Sequence, residues 1–161
     1  MEYLSHPFKP VYDKNSEVLI LGSFPSVKSR ENDFYYGNKN NRFFKLLSEL
    51  FNEELPLSND EKKDFLLRHK IAVYDVIKSC HIKGSSDASI SDVIPTDLKE
   101  IIDNSNIKRI YANGKKAYEL YNLYQKETTG MDITLLPSTS PANAAFSLDK
   151  LKRSWSSIFD D

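Results

Sequence analysis

Cysteine is almost missing from this 161-residue chain: Cys80 stands alone. That excludes an internal disulfide framework and any zinc or iron–sulfur site built on thiolates. Histidine is scarce too. His6, His69 and His81 are the only three, and none falls in the two polar loops described below, so a Ser-His-Asp hydrolase has no histidine in evident reach of a serine. The sequence contains no GxxxxGK[ST] phosphate loop, no GxGxxG fingerprint and no metal-ligand spacing; neither a cofactor nor a metal is expected. No apolar run approaches the ~18 residues of a membrane helix, and the opening MEYLSHPFKPVYDKNS lacks the basic-then-apolar order of a signal peptide. These absences point to a cytoplasmic protein with no membrane partner. A strong charge of one sign is also lacking. A formal net charge of −1 argues against coating nucleic acid by bulk positive charge, while leaving room for a local basic face.

What is present reads as one domain over residues 1–161, expected to be a monomer, with residues 1–16 as an extended N-terminal arm. Val18–Leu21 continues from Glu17 as a short strand, apolar on both faces, as a central parallel strand should be. Phe43, Leu46, Leu47 and Leu50 at helical spacing predict a helix over 42–51. Asn59-Asp60 predicts the cap of a second helix reaching about His69. IAVYDVI, 71–77, is β-branched and aromatic and predicts a strand, with a polar loop over about 78–92 after it. Pro95-Thr96-Asp97 opens a helix to about Asn104; 108–112 predicts a strand, 114–126 a helix, 131–136 a strand, and a last helix begins near Ser147. Strands alternating with helices predict an α/β protein, a three-layer α/β/α sandwich around a mainly parallel four-stranded sheet.

In such a sheet the loops leaving strand carboxyl ends form the ligand cleft. Two loops here are unusual. GSFPS, Gly22-Ser23-Phe24-Pro25-Ser26, reads either as a simple strand exit or as a turn whose backbone N–H groups and serines face a ligand. Tyr35 and Tyr36 are either core aromatics or, for one of them, a ring free to stack on a base. Asn38, Asn40 and Asn41 serve as turn formers and an N-cap, a role that all three need not share. PSTSPANA, with Ser138, Thr139, Ser140, Pro141 and Asn143, is a turn ahead of a helix or a set of small groups for phosphate oxygens and a groove. Asp75, polar in an apolar strand, is a structural hydrogen-bonder or part of a pocket floor. Lys39, Arg42 and Lys152 lie near these loops as candidate DNA contacts.

Taken in order, VLILGSFPSVKS (18–29), YYGNKNNRFF (35–44), YDVIKSC (74–80) with GSSDASI (84–90), ANGKKA (112–117) and LPSTSPANA (136–144) resemble the uracil-DNA glycosylase superfamily, in its hypoxanthine-DNA (deoxyinosine) glycosylase branch. The resemblance covers nearly the whole chain. It implies a parallel-sheet α/β/α sandwich that removes a damaged base from DNA by cleaving its N-glycosidic bond. Other branches carry an Asp or Asn in the first loop to position water; Ser23 and Phe24 stand there in this chain, and the resemblance assigns the compensating role to Asn41. The chain departs from the branch at Asn38-Lys39, where His-Pro is usual, at Phe44 for Trp, and at Thr96 for Asn.

On this reading the enzyme is monofunctional. It everts a deaminated nucleotide, stacks the base on Tyr35 or Tyr36, and orients water with the Asn41 side-chain oxygen. The segment 138–143 with Lys39, Arg42 and Lys152 grips the backbone. A glycosylase acting mainly on uracil, and a non-catalytic module that binds nucleotides or damaged DNA, are the two alternatives.

Overall fold

The computed structural model describes residues 2–159; Met1, counted in the arm, and the last two residues lie outside them. The strands are β1 (Glu2–Ser5), β2 (Val18–Gly22), β3 (Ile71–Asp75), β4 (Ile77–Ile82), β5 (Ser91–Pro95), β6 (Arg109–Asn113) and β7 (Ile133–Leu136). The helices are α1 (Val27–Asn32), α2 (Phe43–Leu50), α3 (Asn59–Arg68), α4 (Leu98–Asp103), α5 (Lys115–Tyr124), α6 (Lys126–Thr129) and α7 (Leu148–Trp155).

The main sheet is parallel throughout, in the order β3-β2-β6-β7. β2 is buried at every position, and its alternation divides the core. Val18 and Ile20 pack with Phe43, Leu46 and Leu47 of α2, Phe65 and Leu66 of α3, and Leu151 and Trp155 of α7. Leu19 and Leu21 pack on the other face with Leu98 and Ile101 of α4 and Leu120 and Tyr121 of α5. Helices therefore cover both faces, which is why β2 needs no polar side and reads as a continuous apolar run. Strand and helix limits lie close to the expected ones; α6 is a short addition after α5, and three larger differences stand out.

The N-terminal arm is not loose. β1 pairs antiparallel with β4, and Val11 bridges to Val73. The polar loop expected over 78–92 is instead β4, a short 3₁₀ turn at Asp87–Ser89, and β5; with β1 they form a second, antiparallel sheet of order β1-β4-β5. The residues in β4 that look like loop formers are satisfied in the sheet: buried Ser79 shares a 2.8 Å hydrogen bond with the Tyr3 hydroxyl. Finally, the first loop contains a helix, α1. Ser26 caps it, its Oγ accepting from the Ser29 N–H at 3.1 Å.

Candidate active site

The site is built on the carboxyl ends of the main strands. Gly22 ends β2 directly beside Asp75, the end of β3. The chain beyond Asp75 stays tied to the first loop, because the Val76 N–H donates to Gly22 O at 2.9 Å and the Ile77 N–H to Ser23 O at 3.1 Å. Gly22 is glycine for a spatial reason: a Cβ there would stand 2.4 Å from Asp75 Oδ1 and 3.4 Å from the Tyr36 hydroxyl. The missing side chain lets the Asp75 carboxylate pack directly against the Gly22 backbone, with the Tyr36 hydroxyl close by.

Asp75 is 4% exposed, and a buried carboxylate needs a partner. His6, from the chain just after β1, provides it, with Nε2 at 2.7 Å from Asp75 Oδ2. The tautomer follows from the other ring nitrogen: Nδ1 accepts the Phe8 N–H at 3.1 Å, so the proton sits on Nε2 and is donated to the carboxylate. Asp75 Oδ1 receives no hydrogen bond from the described residues.

Neither tyrosine is a free ring. Tyr35 is 2% exposed, and its hydroxyl donates to Lys9 O at 2.8 Å. Tyr36 adopts φ 54° and stacks on Phe43, with centroids 4.0 Å apart and planes 24° apart. Only the other face of Tyr36 remains for a ligand. Its hydroxyl is buried with no hydrogen bond of ordinary geometry among the described residues; burial, followed by the nearby charge of Asp75, pushes its pKa well above that of an ordinary phenol, with the Asn113 amide opposing the rise. It is therefore a standing donor.

The second loop forms another wall. Thr139 Oγ1 donates to Asn41 Oδ1 at 2.7 Å, while the Asn113 amide donates to Thr139 Oγ1 and the Thr139 N–H returns to Asn113 Oδ1, both at 3.0 Å. The Phe43 N–H also donates to Asn41 Oδ1, at 3.0 Å, an Asx turn that leads into α2, so the entry to the helix and the cavity wall are one device. This corrects the expected role of Asn41. Its oxygen is fully engaged by protein donors, and the group left for a ligand is the Nδ2 amide. Gly114, at φ +99°, lets Ser138 approach to 3.2 Å of where its Cβ would be. Trp155 pins the loop's start by donating Nε1–H to Pro137 O at 2.9 Å.

These walls enclose a cavity of about 150 Å³. It is lined by twelve of the residues singled out in the sequence, Gly22 to Ser26, Tyr35, Tyr36, Asn41, Asp75 and Ser138 to Ser140, joined by Ser29, Ile82, Ser85, Asp87 and Asn113. An adjoining groove of about 590 Å³ shares Asp87, Ser138 and Ser140 and adds Lys115, Ala142, Asn143 and Phe146. Among the described residues no three His, Cys, Asp or Glu side chains come together as a metal would require.

Of the expected backbone contacts, Lys39 and Pro141 are exposed, close in sequence to Asn41 and Ser140 of the cavity wall. Lys152 pairs with Glu49 at 3.5 Å, and the Asn143 amide donates to Ser138 O at 3.0 Å within its own loop. Arg42 turns inward: its guanidinium donates to the carbonyl oxygens of Phe146, of Ser140 at 3.0 Å and of Asn143 at 3.1 Å. It staples the second loop to α2 and is not presented to solvent as a phosphate contact would be.

His6 and Asp87 were not legible as site residues. His6 sits in what reads as an arm, and Asp87 in what reads as a solvated loop. Ser23 Oγ donates to Asp87 Oδ1 at 3.1 Å, and desolvation of that carboxyl raises its pKa above the ordinary value, with the Ser23 hydrogen bond and Lys116 opposing the rise.

Comparison with known proteins places this geometry. Residues 9–159 match the model of the uracil DNA glycosylase superfamily. A curated protein of Methanosarcina acetivorans named hypoxanthine DNA glycosylase is 37% identical over 156 residues, 94% of this chain and 96% of that protein. A protein of the same name from Methanosarcina barkeri is 34% identical over 154 residues, with the same coverage of 94% and 96%. A solution NMR structure of a candidate uracil DNA glycosylase from M. acetivorans superposes with a TM-score of 0.83 at 32% identity, covering 98% of this chain and 97% of that one. The chain belongs to the uracil DNA glycosylase superfamily, in its hypoxanthine-DNA glycosylase branch.

Proposed function

We propose that the chain is a monofunctional DNA glycosylase of base excision repair that turns a deaminated nucleotide out of DNA and hydrolyses its N-glycosidic bond, with hypoxanthine as its main base. One observation carries the choice of base: the acceptor Asp75 Oδ1, which receives no hydrogen bond from the described residues, and the buried Tyr36 hydroxyl, a donor without a partner among them, border the same cavity. Deamination of adenine exchanges an amino group beside a bare ring nitrogen for a carbonyl beside a ring N–H. Hypoxanthine offers N1–H to the carboxylate and O6 to the phenol. Adenine presents the reverse pattern and leaves both buried groups unpaired, at about 1–3 kcal/mol each. Uracil carries the same N–H and carbonyl pair, so it is the second substrate; the names of the two curated relatives support hypoxanthine as the first.

Eversion costs a few kcal/mol and is cheapest for a mispaired base, which favours deaminated sites over intact pairs. Once the base fills the cavity, the free face of Tyr36 lies along it and the Asn41 amide holds the water oxygen. Among the described residues no lysine lines the cavity and Lys115 borders only the adjoining groove, so water is taken as the nucleophile and an abasic site as the product. Lys39 and the segment 138–143 at the rim meet the DNA backbone, so affinity falls with added salt.

The test is base release from duplexes bearing inosine, uracil, xanthine or adenine at one position, read as alkali-labile sites. Release is expected fastest from inosine, slower from uracil and absent from adenine. Tight binding to inosine DNA with no abasic product at high enzyme and long times would instead make the chain a binding module.

A further inference from the structure

Hydrolysis needs a group to receive the proton of the attacking water, and Asn41 is not that group. Its Oδ1 already accepts from Thr139 Oγ1 at 2.7 Å and from the Phe43 N–H at 3.0 Å, and its amide nitrogen only donates. Two carboxylates border the cavity. Asp75 closes its Oδ2 on His6 at 2.7 Å and packs Oδ1 against Gly22 at the cavity wall, where the reading above puts the base edge. Asp87 comes from the turn between β4 and β5 and borders both the cavity and the adjoining groove. With the base in the cavity, the shared boundary at Asp87, Ser138 and Ser140 is open to the groove and leaves room for its sugar. Ser23 holds one carboxyl oxygen, Oδ1, at 3.1 Å, and Oδ2 has no hydrogen-bond donor among the described residues.

We propose that Asp87 is a further catalytic residue, the general base of the hydrolysis, with Ser23 fixing the plane of its carboxyl group. This rests on the glycosylase reading above. In the step, the water oxygen bonds to C1′ as the bond from C1′ to the base nitrogen breaks, and the bonding pair departs with the base. The water proton passes to Asp87 Oδ2. The departing base takes a proton from solvent, and Asp87 later returns its own to solvent, so the balance closes without a cofactor.

The surroundings suit a base. Asp87 is exposed as a residue, but partial desolvation of its carboxyl raises the pKa; the Ser23 hydrogen bond and Lys116 of α5 oppose the rise, and Asp75 of β3 adds to it. Lys115 of α5 also borders the groove. A carboxyl whose pKa lies above its ordinary value transfers a proton more effectively near neutral pH than an unperturbed one. It must be ionised to act, so the rate falls as pH drops through that raised value.

The experiment compares wild type and Asp87→Asn in single-turnover hypoxanthine release from inosine duplex across pH, together with binding to the same duplex and thermal melting. The introduced carboxamide keeps an oxygen to accept from Ser23, so fold and binding are expected to hold within about threefold while the rate falls about 10²-fold or more and the acidic limb of the pH profile disappears. A variant rate within threefold of wild type, a loss matched by an equal loss of binding, or a lowered melting temperature that accounts for the lost activity overturns the assignment. If wild type releases hypoxanthine while the variant does so equally well, only the role of Asp87 is lost. If wild type releases no base from any duplex, the glycosylase reading fails and this role fails with it.

Discussion

His6 and Asp75 join the N-terminal strand to the floor of the cavity: Nε2–H of the imidazole is donated to the carboxylate at 2.7 Å, and Nδ1 is held by the Phe8 N–H at 3.1 Å. The segment that reads as an arm is therefore part of the site, because it fixes how Asp75 presents its second oxygen to a ligand.

Replacing His6 by Ala removes the donor and leaves a buried carboxylate half satisfied. The expected cost is about 1–3 kcal/mol of stability, read from urea unfolding, with a matching fall in discrimination between inosine and adenine duplexes. Gln at the same position keeps a donor and is expected to recover part of both. An Ala variant with unchanged unfolding midpoint and unchanged discrimination would remove the pair from any role in the site.

Gly22→Ala tests the close packing of Asp75 against the first loop. The added methyl meets Asp75 Oδ1 at 2.4 Å, closer than any tolerated contact, and the carboxylate of a β-strand end has little freedom to retreat. Overpacking of this kind costs about 1–3 kcal/mol. The same displacement taken from the bound base, about 1.4 kcal/mol, is a tenfold loss of kcat/KM. Steady-state kinetics on inosine duplex measures it, and full activity in the Ala variant would place the base elsewhere.

These residues also show what the sequence made legible. The main sheet was readable because β2 is apolar on both faces and α2 repeats Phe43, Leu46, Leu47 at helical spacing, signals that depend only on neighbouring residues. From strand order alone, the loops at Gly22 and Pro137 had to share an edge. The antiparallel sheet β1-β4-β5 was not readable. Its strands mix polar with apolar residues and lack a clean alternation, and the Tyr3 hydroxyl that satisfies Ser79 lies 76 positions away. Candidate site residues were legible where a polar loop follows an apolar strand. The inward turn of Arg42, the doubly engaged oxygen of Asn41 and the approach of Asp87 to Ser23 all depend on long-range packing, which no local pattern encodes.

Asn41 separates two mechanisms by its two atoms. Asn41→Ala removes the amide donor and is expected to slow single-turnover base release by about 10²-fold, the usual cost of losing one preorganised group. Asn41→Asp keeps an oxygen for Thr139 Oγ1 and the Phe43 N–H but exchanges the Nδ2 donor for an acceptor. Because the oxygen is already occupied in the wild type, the Asp variant is expected to be impaired as severely as Ala. Undiminished turnover in Asn41→Ala would take the residue out of the mechanism. An active Asp variant beside an inactive Ala variant would return the role to the oxygen.

Arg42 offers a contrast between holding a loop and holding DNA. Its guanidinium is spent on the carbonyls of Phe146, Ser140 and Asn143, so Arg42→Ala is expected to loosen the second loop and weaken DNA binding without changing the number of phosphates neutralised. A lost phosphate contact reduces the slope of log affinity against log salt by about 0.9 on duplex DNA; a lost staple leaves the slope as it was and lowers the whole line. Lys39→Ala, at the exposed rim, is the control in which the slope is expected to change. Affinity measured at several salt concentrations for both variants decides the matter. A reduced slope for Arg42→Ala would mean that the side chain swings out to meet the backbone when DNA arrives.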